Sequence, residues 1–192
     1  RPIIIHAGAA QDFKITPEQI ENAVTPNTKA ILVNSPSNPT GSAYDKNELE
    51  KLAEVALRHN LLIITDEIYE QIVFDGFQHT SIASISPEVQ KQCVVINGVS
   101  KSYAMTGWRI GYIAAGDPEI VKQAGKLQGQ STSNPCAISQ AASIEALTGP
   151  LDEVHEMVRE FEKRRNIIVA QLSKIPGVTC NTPKGSFYSF PD

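Results

Sequence analysis

Short apolar runs alternate along the chain with segments whose apolar residues recur at helical spacing. Four runs have the length of strands, and they cover residues 30–34, 61–66, 93–97 and 110–115. A helix is predicted over residues 45–59, because apolar side chains mark one face there at i, i+3, i+4, i+7 and i+8. This alternation predicts an α/β fold, with a mostly parallel sheet flanked by helices.

Two of the runs carry more specific predictions. Run 61–66 is apolar on both faces, so we expect helices to cover the sheet on both sides there. Run 110–115 follows after a connection too short for a helical crossover, so we expect it to pair antiparallel. Asp117 followed by Pro118 predicts the start of another helix, with the aspartate as its N-cap.

The pattern changes near residue 150. From Leu151 onward, apolar residues support one long helix of about 20 residues. Two short strand-like pieces follow it, around residues 178–180 and 186–190. We therefore expect two domains: a core at residues 1–150, and a linking helix with the start of a smaller α+β domain at 151–192. Both ends look cut, so we expect the chain to be a piece of a longer protein.

Composition narrows the classes of function. The chain has 192 residues and a formal net charge of −4, which leaves no basic surplus for binding nucleic acid. No apolar run approaches the length of a membrane span, so we expect a cytoplasmic protein without a membrane partner. The four histidines have no convergent partners in the sequence, and we expect no metal site.

Polar residues with useful chemistry follow three consecutive strands. Asn38 comes after the first strand, Asp66 and Tyr69 end or follow the second, and Lys101 and Arg109 follow the third. Asp66 lies 28 residues after Asn38, and Lys101 lies 35 residues after Asp66, which is close to one crossover unit each. Because ligands bind at the carboxyl ends of parallel strands, we expect these side chains to meet at one site.

Together these groups suit an anionic aromatic aldehyde. A lysine amine forms a Schiff base with a carbonyl, which Lys101 can supply. A carboxylate such as Asp66 keeps a pyridine nitrogen protonated and turns the ring into an electron sink. Tyr69 and Asn38 can donate hydrogen bonds to a ring hydroxyl oxygen, and Arg109 can bind phosphate through a bidentate hydrogen bond.

Three motifs carry a resemblance to a known family. Asn-Pro-Thr-Gly at 38–41, Asp-Glu-Ile-Tyr at 66–69 and Ser-Lys-Ser-Tyr-Ala-Met-Thr-Gly-Trp-Arg-Ile-Gly at 100–111 resemble the class I and II aminotransferases of pyridoxal phosphate (PLP) fold type I. The version present here is most similar to bacterial aspartate aminotransferases. The resemblance runs from about Ile3 to the end of the chain, in the family's order.

The resemblance implies a role for each matching residue. Lys101 is similar to the Schiff-base lysine, Asp66 to the partner of the pyridinium nitrogen, and Arg109 to the phosphate-binding arginine. Tyr69 and Asn38 are similar to the contacts of the ring hydroxyl oxygen, and Asn38 also to a substrate contact. The catalytic set implied is thus Lys101, Asp66 and Tyr69.

Three further implications follow from the same resemblance. Ser100 is similar to a residue near the phosphate, whereas a second serine that relatives often carry is replaced here by Gly98. The family's Asn-Pro peptide is commonly cis, so we expect the same at Asn38–Pro39. Trp108 is expected to pack rather than to stack on the cofactor.

The function implied is amino-group transfer between an amino acid, such as aspartate or glutamate, and a 2-oxo acid, through a Schiff base at Lys101. Two alternatives stay open: another fold type I PLP enzyme, such as a β-lyase or an enzyme like aminocyclopropane-carboxylate synthase, and an amino-acid sensor domain of a transcription regulator. The family implies a homodimer for the full-length protein. We expect the present chain alone to be inactive.

Overall fold

The computed structural model describes residues 1–192 and contains one four-stranded sheet in the order β1-β2-β3-β4. Its strands are β1 (Ala30–Asn34), β2 (Leu62–Asp66), β3 (Cys93–Gly98) and β4 (Gly111–Ala115). The first three strands are parallel, and β4 pairs antiparallel with β3. The predicted α/β fold with a mostly parallel sheet is confirmed, and so is the direction of the fourth strand.

Six α-helices accompany the sheet. They are α1 (Pro17–Ala23), α2 (Lys46–Arg58), α3 (Pro87–Lys91), α4 (Pro118–Ser131), α5 (Ala137–Thr148) and α6 (Asp152–Leu172), with 3-10 turns at Ala9–Gln11, Ile82–Ser84 and Thr106–Trp108. Helices α2, α4 and α6 match the predicted ones. The pattern did not predict α1, α3 or α5, since the first two are short and α5 has no distinct apolar face. None of the helices has both the length and the apolar character that crossing a bilayer would require.

Local sequence accounts for the bounds of α2. The carboxylate of Asp45 accepts a hydrogen bond from the backbone N–H of Glu48, and the Glu48 side chain accepts one from the N–H of Asp45. This capping box satisfies two of the free N–H groups at the start of the helix. The helix ends at Arg58, and Asn60 then takes a left-handed conformation with φ of 50°.

One face of the sheet carries the main core. Side chains from β1, β2 and β3 pack there against α1, α2 and α3, and the buried set is Ile20, Ile31, Val33, Tyr44, Leu49, Leu52, Ala53, Val55, Ala56, Leu61, Ile63, Ile82, Val89 and Cys93. On the opposite face, Leu32 is 69% exposed and Ile96 39% exposed. The prediction of helices on both faces of run 61–66 is therefore wrong for this chain, since only alternate β2 residues, Ile63 and Thr65, are buried.

A smaller apolar cluster forms around the segment after β2. Tyr69, Ile72 and Phe74 pack there against α6 and Tyr188. The strand-like pieces predicted at 178–180 and 186–190 are not strands, and this part makes only the isolated bridges Val73–Gly185 and Cys180–Pro191. Ser186 has a φ of 60°, a left-handed conformation that an extended ladder excludes.

Candidate active site

The carboxyl ends of β1, β2 and β3 lie side by side. Asn34 pairs in register with Asp66, and Asp66 pairs with Ile96. The Asn34 side-chain amide and the Ser35 N–H both donate to the Asp66 carbonyl, each at 3.1 Å. The three loops that carry the predicted site residues thus leave the sheet at one edge, as expected for parallel strands.

Asp66 lies on the sheet face that the main core leaves uncovered. Strand alternation places its side chain on the side of Leu32 and Ile64, whereas Ile63 and Thr65 face the core. Its Oδ1 accepts a hydrogen bond from the Ile68 N–H at 3.2 Å, and the carboxylate makes no salt bridge. The backbone therefore orients a carboxylate that still has acceptor sites free.

Tyr69 is 2% exposed, and its hydroxyl lies among three polar side chains. Burial raises the pKa of Tyr69, and the hydrogen bond with Tyr188 and the charge of Asp66 raise it further, whereas a hydrogen bond with Asn38 lowers it. The phenol therefore keeps its proton at neutral pH and is available as a donor. Asn38, Asp66 and Tyr69 are brought together, as the sequence predicted.

The Asn38 loop is held firmly at the same edge. The Asn38 N–H donates to Asn34 Oδ1 at 2.7 Å. The Asn38–Pro39 bond is cis, which confirms the expectation from the resemblance, and the Ser35–Pro36 bond is cis as well. Gly41 has a φ of 71°, and a Cβ there would lie 2.5 Å from the Pro183 side chain, so only glycine fits the turn.

Lys101 lies in the loop after β3. Its Nζ sits 5.8 Å from the centroid of the Phe187 ring, and that ring makes an edge-to-face contact with Tyr69 at 5.3 Å. The neighbouring Ser102 hydroxyl donates to the Ile68 carbonyl at 3.4 Å, which joins the loop to the one that carries Tyr69. The Lys101 amine makes no hydrogen bond and no salt bridge within the chain.

Arg109 lies further along the same loop. Its Nη1 donates to the Thr106 carbonyl at 3.1 Å, and the Thr106 hydroxyl donates to the Ser100 carbonyl at 3.0 Å. Arg109 has a φ of 55° and Ala104 a φ of 54°, which are unfavourable conformations for residues with a Cβ. Backbone strain of this kind is typical of ligand-binding loops. The guanidinium, like the amine of Lys101, has no carboxylate partner.

The close approach of β4 explains the glycine at position 98. A Cβ on Gly98 would lie 2.8 Å from the Ile110 carbonyl oxygen and 3.0 Å from the Gly111 Cα. Both are backbone atoms and cannot move aside as a flexible side chain could. A serine is therefore disfavoured here. Ser100 and Ser102 are the hydroxyl residues beside Lys101, and the Ser102 hydroxyl already donates to the Ile68 carbonyl.

Trp108 is 43% exposed, and its expected packing stays a prediction. The expectation that the histidines lack convergent partners was wrong. His79 does have partners: its Nε2 lies 3.3 Å from Glu67 Oε2, and the Ser81 and Thr65 hydroxyls donate to Glu67 Oε1 at 2.9 and 3.1 Å. The signal was present in the sequence. Glu67 directly follows Asp66, so alternation turns it toward the core, where a carboxylate needs partners.

Phe187 and Tyr188 are contacts of this edge that the sequence did not indicate. Their segment passes between two of the loops: the Lys184 N–H donates to the Gly41 carbonyl at 2.8 Å, and the Ser186 N–H donates to the Ile72 carbonyl at 2.8 Å. These two hydrogen bonds position the segment so that the rings of Phe187 and Tyr188 both contact Tyr69. The sequence of run 186–190 predicts only a strand.

A well-defined cavity lies elsewhere. It has a volume of about 760 Å³, and its mostly apolar lining includes Ile3, Ile5 and Ile31 at the amino end of β1. None of the predicted site residues borders it. The site at the carboxyl edge instead has an amine, a carboxylate and a guanidinium without ionic partners, a donor and acceptor set that fits the carbonyl, ring nitrogen and phosphate of PLP.

Comparisons with known proteins agree with this chemistry. The family model "Aminotransferase class I and II" matches residues 2–192. The chain is 52% identical to the aspartate aminotransferase of Geobacillus stearothermophilus and 50% identical to that of Bacillus subtilis, with 100% of the chain aligned to 48% and 49% of the relatives. It superposes on the crystal structure of the Rhizobium meliloti aspartate aminotransferase with a TM-score of 0.96 and 44% identity, over 100% of this chain and 48% of that one.

The chain thus spans about half the length of the relatives that it matches. The matched residues, 2–192, include the three loops at the carboxyl edge of the sheet. The chain belongs to the class I and II aminotransferases, a family of PLP-dependent enzymes.

Proposed function

We propose that the full-length protein transfers an amino group between an amino acid and a 2-oxo acid, with PLP held as a Schiff base on Lys101. The observation that supports this proposal is that Lys101, Asp66 and Arg109, none of which has an ionic partner, lie at or after the carboxyl ends of neighbouring parallel strands. When bound, PLP supplies the electron sink that stabilises negative charge at the substrate Cα.

Each group has a distinct task in this proposal. Arg109, with Ser100 beside it, binds the phosphate and fixes the cofactor's position. Asp66 accepts a hydrogen bond from the protonated ring nitrogen and keeps its positive charge. Tyr69 and Asn38 donate to the ring hydroxyl oxygen. Once an amino acid has displaced it from the cofactor, Lys101 would take the proton from the substrate Cα as general base and deliver it to the cofactor's C4′ as general acid.

Aspartate and glutamate are the proposed amino donors. The support is the naming of the relatives, which are aspartate aminotransferases at 50–52% identity. The same naming favours transamination over a β-lyase reaction and over a regulatory sensor. A cytoplasmic homodimer is the form that we propose for the full-length protein.

Half-transamination of the full-length protein tests this function. The PLP-loaded protein is mixed with single amino acids in the absence of an oxo acid, and the cofactor's absorbance is followed. We expect aspartate or glutamate to convert the lysine-bound cofactor to the amine form, and Lys101→Ala to show no such conversion at a comparable rate. If the cofactor binds but no amino acid in a broad panel converts it, the proposal is wrong.

A further inference from the structure

Tyr188 makes a polar contact with the proposed cofactor site that the three motifs do not include. Its hydroxyl lies 3.0 Å from the Tyr69 hydroxyl, and the two rings meet edge to face at 5.8 Å. Phe187 packs against both rings, at 5.3 Å from Tyr69 and 4.9 Å from Tyr188. The hydroxyl pair is therefore held by three aromatic contacts as well as by its own hydrogen bond.

The direction of this hydrogen bond depends on what else Tyr69 contacts. Without a ligand, either hydroxyl can be the donor. Tyr69 has a single hydroxyl proton, and if it donates that proton to the ring oxygen of PLP, it can only accept from Tyr188. A phenol that accepts one hydrogen bond becomes a stronger donor in the next, because such bonds polarise one another.

We propose that Tyr188 is a positioning residue, which donates to the Tyr69 hydroxyl and so strengthens and orients the bond from Tyr69 to the cofactor's ring oxygen. This inference rests on the proposed function. The segment that carries Tyr188 is tied by backbone hydrogen bonds to Gly41 and Ile72. The strength of the bond from Tyr69 to the cofactor's ring oxygen therefore also depends on the position of residues 183–188.

The consequence is a shift in the titration of the bound cofactor. The deprotonated, lysine-linked cofactor carries negative charge on its ring oxygen, and hydrogen-bond donation to that oxygen favours this form. Removal of the Tyr188 hydroxyl weakens the donation and raises the midpoint pH. We expect an increase of about 0.3–0.5 pH unit for Tyr188→Phe, against about 1 unit for Tyr69→Phe, from the usual strength of a neutral hydrogen bond.

The test is an absorbance titration of the PLP-loaded full-length protein, compared among wild type, Tyr188→Phe, Tyr69→Phe and the double variant. Tyr112→Phe is the matched control, because the Tyr112 hydroxyl on β4 makes no hydrogen bond in the structure; its midpoint should equal that of the wild type. Since Tyr188 acts through Tyr69, the double variant should titrate like Tyr69→Phe alone. Circular dichroism checks folding, and Tyr188→Met, which also lacks a donor, replaces Tyr188→Phe if the latter does not fold.

The outcomes separate this inference from the function on which it rests. An unchanged midpoint in Tyr188→Phe, or an equal shift with and without the Tyr69 hydroxyl, overturns the role of Tyr188 and leaves the aminotransferase proposal intact. If the wild type never develops the absorbance of lysine-bound PLP, both proposals are wrong. A raised midpoint that disappears in the Tyr69→Phe background supports the assignment.

Discussion

Asp66 and Glu67 are adjacent carboxylates at the end of β2 that face opposite sides of the sheet. Asp66 accepts from the Ile68 N–H and has free acceptor capacity, whereas Glu67 is 2% exposed and contacts the hydroxyls of Thr65 and Ser81 and the ring of His79. A buried carboxylate such as that of Glu67 is tolerated in the folded protein only while its hydrogen-bond partners remain. We therefore propose ligand binding for Asp66 and a structural role for Glu67.

Replacement of these two residues should have different effects. In the full-length protein, Asp66→Asn should slow half-transamination by about 100-fold or more, because the ring nitrogen loses its charged partner. Its PLP affinity should fall by less than about tenfold, since the phosphate contacts remain. Glu67→Gln is the matched control. It should lower the melting temperature but have little effect on the rate of half-transamination. Equal losses of rate and PLP affinity in Asp66→Asn would contradict its assigned role.

For individual residues, the sequence predicted the site residues that directly follow strands. It did not predict the site contacts that come from segments distant in the sequence. Asn38, Asp66 and Tyr69 could be placed together because parallel strands end at one edge. Tyr188 could not, since 119 residues separate it from Tyr69 and their contact depends on how residues 183–188 pass between two loops. The partners of His79 were missed although the sequence contains a signal, since Glu67 directly follows Asp66 and strand alternation turns it toward the core.

Helix α6 binds the loop after β2 through Arg165 and Glu162, and the Asp75 N–H donates to Glu162 Oε1 at 2.7 Å. The Arg165 guanidinium contacts both carboxylate oxygens of Asp75, at 2.6 and 2.8 Å, and donates to the Pro183 carbonyl at 3.0 Å. It also lies 5.0 Å from the centroid of the Phe74 ring. Three segments thus meet at one side chain, which is only 6% exposed. This contact fixes α6 and residues 183–188 against the loop that carries Tyr69.

The ion pair of Arg165 and Asp75 should increase the free energy of unfolding. Hydrogen bonds from Arg165 lower the pKa of Asp75, so the stabilisation is present above the ordinary aspartate pKa and is lost as pH falls through the lowered value. We expect Asp75→Asn to cost about 1–2 kcal/mol at neutral pH, a value reduced for the partial exposure of Asp75.

Chemical denaturation of the full-length protein at a series of pH values measures this difference. It should shrink toward zero under acid conditions, where the wild-type carboxylate is also protonated. Glu160→Gln is the control, because it breaks an exposed pair with Arg164 and should cost less than about 0.5 kcal/mol. A cost for Asp75→Asn that is no larger than that of the control, or that does not change with pH, would contradict the role of the pair.

The elements were predictable where their periodicity was strong. Helix α2 has both an apolar face and a capping box, and its bounds agree with the prediction to within one residue. Short α3 has neither length nor periodicity, and the run 186–190 has strand-like composition but a left-handed Ser186. Composition cannot show such a conformation, because the surrounding contacts impose it.

Over the whole molecule, the uncovered face of the sheet is also the face that carries Asp66. Leu32 on this face is 69% exposed, although the apolar pattern of run 61–66 predicted cover on both sides. The chain spans about half the length of its relatives, so we expect other parts of the full-length protein to cover this face and enclose the cofactor. The division into domains near residue 150 stays a prediction.

The central claim is that loops from β1, β2 and β3 hold one PLP molecule whose aldehyde is bound to Lys101. Borohydride reduction of the PLP-loaded full-length protein, followed by proteolysis and mass mapping, tests it most directly, since reduction makes the lysine bond permanent. We predict that the label lies on the peptide that contains Lys101, and that Lys101→Ala takes up no label at any other lysine. Stoichiometric labelling of a different lysine in the wild type, or undiminished labelling of Lys101→Ala, would contradict the account.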